Sequence, residues 1–452
     1  MAVIAEGTAP KGAVAEGAID LSRLLDERAI SPLQVLVAIL SGLIMLVDGY
    51  DIQVMALAVP AVAKQWSIAP SHFGLALSAA LAGLSVGAAF IAPLGDRWGR
   101  RALLISAMLV VGATTIATST AASPMQFVAW RFATGVALGV SIPNCNAWTA
   151  EYVPLRSRAT ILVVMNAAIS TGAFCAGFVA PVIFARWDWR GAFVIGGLSP
   201  LLIGFAILAT APESLKFLAL RRPDDPRIPR ILARIAPDID PARASLGGSR
   251  PAVAPRARWS LVALLGPIYR RRTLVLWTVV GLNLFTMYVL ISWLPTLLQA
   301  DGWSLDNAQR GAVLIQAGGV IGGILLSLFV NRGRTIPALV TAFTVTVACL
   351  ALFRFTSATM SWVFIALMGA GTSGTQLALN ALSTAYYPPA IKASGMSWAG
   401  VIGNAAAFLA PVAAAAEMNA GISPVNILAL LAIPAFACAA GATLMRTEWQ
   451  WN

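Results

Sequence analysis

Apolar runs long enough to cross a bilayer recur along this chain, separated by short polar gaps. Crossing the hydrocarbon takes roughly 20 predominantly apolar residues in a helix. Ala159 to Ala185, Gly191 to Pro212, Thr273 to Ala300, Gly311 to Val330 and Ala393 to Ala416 contain no charged side chain. From end to end the pattern predicts twelve spans, at 35–63, 73–94, 102–121, 125–150, 159–184, 191–211, 273–298, 310–330, 336–355, 361–384, 393–415 and 424–445. A soluble core hides one or two such helices; twelve need lipid around them. The predicted fold class is an all-α membrane protein of twelve transmembrane helices.

The longest polar gap follows the sixth span and is rich in Pro, Arg and Asp, as in RRPDDPRIPR. It divides the chain into an N-terminal tail (1–34), a six-helix bundle (35–212), a linker (213–272), a second six-helix bundle (273–446) and a C-terminal tail (447–452). A solvated form is expected for the linker, although part of it could lie as an amphipathic helix on an anionic membrane surface. The two bundles repeat one another. Gly95-Asp96-Arg97-Trp98-Gly99-Arg100-Arg101 follows span 2, and Asn331-Arg332-Gly333-Arg334 follows span 8. Glu151-Tyr152-Val153-Pro154 and Arg158-Ala159 end span 4; at an offset of 234, Tyr386-Tyr387-Pro388 and Lys392-Ala393 follow span 10. Such internal symmetry marks a duplicated unit. Pseudo-symmetric halves of the same orientation predict a substrate site between them, near the midplane.

Composition agrees: with 58% hydrophobic and only 11% charged residues, the chain could not cover a soluble surface. The net charge of +12 would suit a nucleic-acid partner, but the bases lie in the gaps between spans. With both termini cytoplasmic, 25 Lys and Arg fall inside and five outside (Lys64, Arg186, Arg190, Arg310 and Arg354), while Arg131 remains within a span. That asymmetry follows the positive-inside rule and sets the expected orientation. The N-terminal tail, with five acids and three bases, lacks the pattern of a signal peptide. Cys145, Cys175, Cys349 and Cys438 lie in apolar runs without C-x-x-C spacing. They read as packing residues, so neither a disulfide framework, a metal site nor a cofactor is expected.

Together these features resemble the major facilitator superfamily. The loop after span 2 is similar to its signature G-x-x-x-D-R-x-G-R-R, with Ala92 at the first glycine. The second copy has Asn331 in place of the acid. Asp48-Gly49-Tyr50-Asp51 in span 1 resembles the D-G-x-D motif of the aromatic acid:proton symporter family. Trp130-Arg131-Phe132, Gly135, Gly139, Pro143-Asn144 and Glu151-Tyr152 in span 4 resemble that family's pattern, as does Ser292-Trp293-Leu294-Pro295-Thr296 in span 7. In span 11, Gly403-Asn404 stands where the family has Gly-Arg. The resemblance implies proton-coupled uptake of benzoate- or hydroxybenzoate-like acids across a bacterial inner membrane. A non-aromatic organic anion, or export, is the alternative.

Ionisable groups inside a span are costly, and their default reading is functional. Asp48 and Asp51, three apart, share a helix face. Counted along their helices, Asp48 and Arg131 reach similar depths. Two carboxylates out of water are suited to carry a proton, and the permanently charged guanidinium fork of Arg131 suits a substrate carboxylate. The expected mechanism is competition: a deprotonated aspartate claims Arg131 and helps expel the substrate. Gly49 reads either as a packing residue or as a point where span 1 bends. Asp96, Arg97, Arg100, Arg101, Glu151 and Arg158 are expected to form a gate at the cytoplasmic edge. An aromatic substrate also needs a flat wall and polar partners, and Asn283, Phe285 and Tyr288 in span 7, Gln376 and Asn380 in span 10, and Trp398 and Asn404 in span 11 are the candidates. His72, the sole histidine, reads as a loop residue.

Other classes fit poorly. None of the four lysines follows a glycine, so no P-loop for nucleotide exists. H-E-x-x-H is missing, and a single histidine in the whole chain makes hydrolytic chemistry a poor fit, so an enzyme is not expected. The expected partners are a small aromatic carboxylate, protons and the lipid bilayer, with the chain acting as a monomer.

Overall fold

The computed structural model describes residues 28–222, 224–236, 264–330, 332–387 and 389–445, with positions 18, 19, 26, 245, 246 and 262. Most of the N-terminal tail, the middle of the linker, Asn331 and the C-terminal tail 447–452 lie outside the described residues.

Eleven described helical stretches are long and apolar enough to cross a membrane. One of them, Leu155–Thr210, has 56 residues, about 84 Å of helix at 1.5 Å per residue and enough for two crossings. It breaks at Trp187 and at Asp188, whose φ of 61° lies in the left-handed region. The parts before and after the break are α5 and α6, which gives twelve crossings. The others are α1 (Pro32–Trp66), α2 (Pro70–Trp98), α3 (Arg100–Thr118), α4 (Pro124–Tyr152), α7 (Arg270–Ala300), α8 (Leu305–Val330), α9 (Thr335–Phe355), α10 (Ala358–Ser383), α11 (Pro389–Asn419) and α12 (Pro424–Leu444). Helix starts follow local chemistry. Ser31 caps α1 in a reciprocal box with Gln34, and Pro32 fills the first helical position. Ser123 and Ser357 cap α4 and α10 with their hydroxyls.

Large apolar side chains such as Val182, Leu202, Ile324 and Phe436 point outward and are exposed. On a water-facing monomer so many would be a liability; around a membrane bundle they meet lipid. Close helix approach inside the first bundle depends on glycine. A Cβ on Gly49 of α1 would sit 1.8 Å from the Ile169 carbonyl oxygen of α5, and one on Gly172 of α5 would sit 1.9 Å from that of Leu46. Gly49 is therefore a packing residue.

The buried clusters divide by depth. At the end carrying the linker, one cluster belongs to the first bundle alone, around Ile44, Met108 and Trp148. Another there belongs to the second bundle alone, around Leu276, Phe343 and Tyr387. At the opposite, distal end a single cluster joins both, with Val54, Phe73 and Phe193 against Trp293, Leu294 and Ala415. Gly74 of α2 lies against Ala415 and Pro411 of α11 there. Among the described residues, the bundles thus share a core at the distal end and keep separate cores at the linker end.

The first part of the linker differs from a plain solvated segment. Leu215–Arg221 and Arg227–Ile235 are helices. Leu215, Leu218, Ile228, Ile231, Leu232 and Ile235 bury themselves in the first bundle's cluster. Their spacing of three and four gives one apolar face, which docks on protein.

Candidate functional site

The three ionisable residues expected inside the membrane come together. Arg131 of α4 is 1% exposed and Asp51 of α1 is 2% exposed. Arg131 donates from Nη1 to Asp51 Oδ1 at 2.7 Å and from Nη2 to Oδ2 at 2.6 Å. This two-pronged geometry is the strongest form of carboxylate pairing. Thr115 of α3 stands 3.5 Å from Asp51 Oδ1 and donates to it. Asp48, one turn away, is equally buried, but its Oδ1 has no hydrogen-bond partner. The Nε of Arg131 is likewise unpartnered. Asp51 is thus held within the first bundle by Arg131 and Thr115, whereas Asp48 lies outside that set of bonds. Arg131 is engaged by Asp51 in this state and not free for a substrate.

The second bundle supplies neutral polar groups. Buried Asn283 donates to Gln376 Oε1 at 2.8 Å and to the Thr372 carbonyl at 3.2 Å, and accepts from Thr375 at 3.2 Å. Gln376 in turn donates to Asn380 at 3.1 Å. This amide chain runs from the core of α7 to exposed Asn380 on α10. Half-buried Phe285 and Tyr288 border the distal cluster on the same helix. Trp398 stands apart from them: it packs in the linker-end core against Trp277, ring centroids 6.3 Å apart. Asn404 is exposed on α11. A contact between the bundles that sequence reasoning missed lies close by, where buried Gln316 of α8 donates to buried Gln53 of α1 at 3.0 Å.

The expected gate residues gather at the linker end of the first bundle. Arg100 pairs with Asp96 at 2.9 Å and with Glu151 of α4. Arg101 donates to the carbonyls of Ala211 at 2.6 Å and Leu208 at 2.7 Å. Arg97 is exposed, and Arg158 donates to the Val153 carbonyl at 3.3 Å. Glu213 is the member not anticipated. Its carboxylate accepts from the Arg101 backbone N–H at 3.1 Å, its carbonyl accepts from Tyr152 Oη at 2.8 Å, and a Cβ on Gly99 would meet it at 2.3 Å. Gly99, at φ 99°, turns the chain there. An acid at the first turn of α3 also suits that helix's N-terminal field. These contacts tie α2, α3, α4 and α6 together, all within one bundle.

The class defined by fold and site is a duplicated twelve-span membrane protein in which, among the described residues, one half carries a buried ion pair and the other does not. Residues 41–411 match the Major Facilitator Superfamily, and the chain belongs to it. It is 31% identical over 93% of its length to the gallate transporter of Pseudomonas putida, covering 94% of that protein. It is 30% identical to the 4-hydroxybenzoate transporter PcaK of Acinetobacter baylyi, over 94% of each chain. Among solved structures it resembles an inward-facing bacterial homolog of the lysosomal transporter Spinster, with TM-score 0.71 and 16% identity, covering 94% of this chain and 100% of that one. The inward-open xylose transporter XylE of E. coli matches with TM-score 0.67 and 16% identity, over 89% of this chain and 95% of that one.

Proposed function

We propose that this protein is a proton-coupled symporter that takes up an aromatic carboxylic acid by alternating access, with both termini in the cytoplasm of a bacterium. The observation that carries the reading is the pairing of Arg131 with Asp51 beside an unpartnered, buried Asp48. An isolated carboxylate in a dry site is costly as an anion and tolerable with a proton. Asp48 is therefore the proton carrier. Asp51 is its partner and the competitor for Arg131. When the proton resides on the aspartates, Arg131 is released to the substrate carboxylate; when the proton leaves, Asp51 reclaims it and the substrate departs.

The separated cores at the linker end and the shared core at the distal end fit a state open to the cytoplasm after substrate release. In that state the Arg100–Asp96–Glu151 network stays within one bundle. It would reach across only when the linker end closes, as a gate must. The names of the gallate and 4-hydroxybenzoate relatives support the substrate class, and the amide chain of Asn283, Gln376 and Asn380 offers partners for a ring hydroxyl.

The test uses proteoliposomes with labelled 4-hydroxybenzoate and an imposed pH gradient. Wild-type protein should accumulate the acid above equilibrium. Asp48→Asn and Asp51→Asn should abolish proton-driven accumulation; full accumulation in both variants would overturn the mechanism. A thermal-shift comparison of aromatic with aliphatic acids checks the substrate class.

A further inference from the structure

The distal ends of the two bundles differ in one respect that duplication makes visible. An offset of 234 residues maps Trp66, the last residue of α1, onto Ala300, the last of α7, and cap Ser123 onto cap Ser357. In the first bundle the distal end is filled by five rings, Trp66, Phe73, Phe127, Trp189 and Phe193. Their centroids lie 5.5 to 6.3 Å apart, the spacing of packed aromatic pairs. The same offset places Ala300, Asn307, Ser361, Ser423 and Ile427 at those five positions. Every ring has been replaced by something smaller.

Two of these positions, Ser361 and Ser423, border open space. A cavity of about 510 Å³ opens there, lined by Ser361 and Ser423 together with Asp301, Arg354, Trp303 and Asn426. Trp303 is fixed by an edge contact to Trp362 at 5.1 Å, and the Arg354 guanidinium lies 5.4 Å from the Phe355 ring. Among the described residues neither Asp301 nor Arg354 makes an ion pair. The wall thus offers a cation, an acid, a flat indole and small hydroxyl and amide groups.

We propose that this cavity is a second, outward-facing binding site for hydroxylated monocyclic aromatic carboxylates. Arg354 receives the carboxylate, Trp303 flanks the ring, and Asp301 accepts from the ring hydroxyl at the far end. An acid lacking the hydroxyl leaves Asp301 facing a bare ring edge, so the site discriminates by that group. The choice of ligand rests on the substrate class and orientation proposed above; the cavity and its origin do not. Such a site would hold substrate on the outer face before the bundles open to it.

The test is a protection assay that does not depend on transport. Asn426→Cys is labelled in intact cells by a membrane-impermeant maleimide, with Val425→Cys as a second reporter in case Asn426 itself contributes. At saturating 4-hydroxybenzoate the labelling rate should fall about fivefold, while benzoate should slow it less than about twofold. Ser423→Trp, which restores the ring of the first bundle, and Arg354→Ala should each remove the protection. Unchanged labelling in 4-hydroxybenzoate, equal protection by benzoate, or protection that survives Ser423→Trp would overturn the proposal. Protection without uptake would uphold this site and count against the proposed transport reaction; uptake without protection would do the reverse.

Discussion

At matching depths the two bundles carry opposite chemistry. The offset of 234 sets Asp48 against Leu282, Asp51 against Phe285 and Arg131 against Ile365. One half buries two carboxylates and a guanidinium; the other has apolar side chains at the corresponding positions, Ile365 buried and Leu282 and Phe285 half-buried, and manages its polarity with amides. The second bundle is thus a natural control. It shows that this arrangement of helices closes without an ion pair at that depth. A buried pair is often no better for stability than well-packed apolar residues, so the fold does not explain its presence in the first half. The proposed proton coupling would. The amides of the second half, which hold no charge, are suited to choosing the substrate and not to coupling it.

The largest effect expected from this comparison comes from breaking the pair on one side. Arg131→Ala leaves Asp51 buried without its guanidinium partner and should cost about 3–5 kcal/mol of stability, read as a lower melting temperature in detergent. Copying the second bundle outright, with Asp48→Leu, Asp51→Phe and Arg131→Ile together, should recover most of that loss and abolish accumulation. A triple variant that fails to fold would make the ion pair structural and remove the contrast between the halves.

Substitution in the amide chain should have a smaller and different effect. Gln376→Leu removes the group that links Asn283 to Asn380. Half-saturation for 4-hydroxybenzoate should rise about tenfold, equivalent to roughly 1.4 kcal/mol, while the ratio of accumulated to external acid at saturation stays the same. A fall in that ratio would place coupling in both bundles.

Much of this division was legible in the sequence because it rests on local features. Run lengths mark the spans, and a polar Asp188 between two apolar runs marks the turn from α5 to α6. Counting residues along α1 and α4 brought Asp48 and Arg131 to one depth, and the structure joins Arg131 to Asp51. Features that escaped are those set by the fold at a distance. Glu213 stands at the first residue of the linker, and nothing in its neighbourhood tells that it folds back under Gly99. Gln53 and Gln316 meet only because the bundles touch at the distal end. The linker helix was readable in principle: Ile228, Ile231, Leu232 and Ile235 repeat at helical spacing. The arginines among them drew attention to lipid, when the apolar face packs on protein. Trp398, an expected substrate contact, has a neighbour that local sequence does not announce either, the tilted ring of Trp277.

The smallest effect expected is a null one, and it sharpens the comparison by locating pH sensitivity. Asp225 in the linker accepts from Arg227 Nε at 2.9 Å, Nη2 at 2.7 Å and the backbone N–H at 2.9 Å. These bonds hold its carboxyl down to about 2. A carboxyl lowered on folding contributes its stability above the unfolded value of about 3.9 and loses it only as pH falls toward the folded one. Between about pH 5 and 8 the Asp225 charge is constant in both states, and exposed pairs of this kind contribute little in any case. Asp225→Asn should therefore leave the shape of the uptake-versus-pH curve unchanged, whereas Asp48→Asn should flatten it. If the linker variant shifts the curve as well, the proton response is shared with the linker end, and the first bundle's buried carboxylates no longer account for it alone.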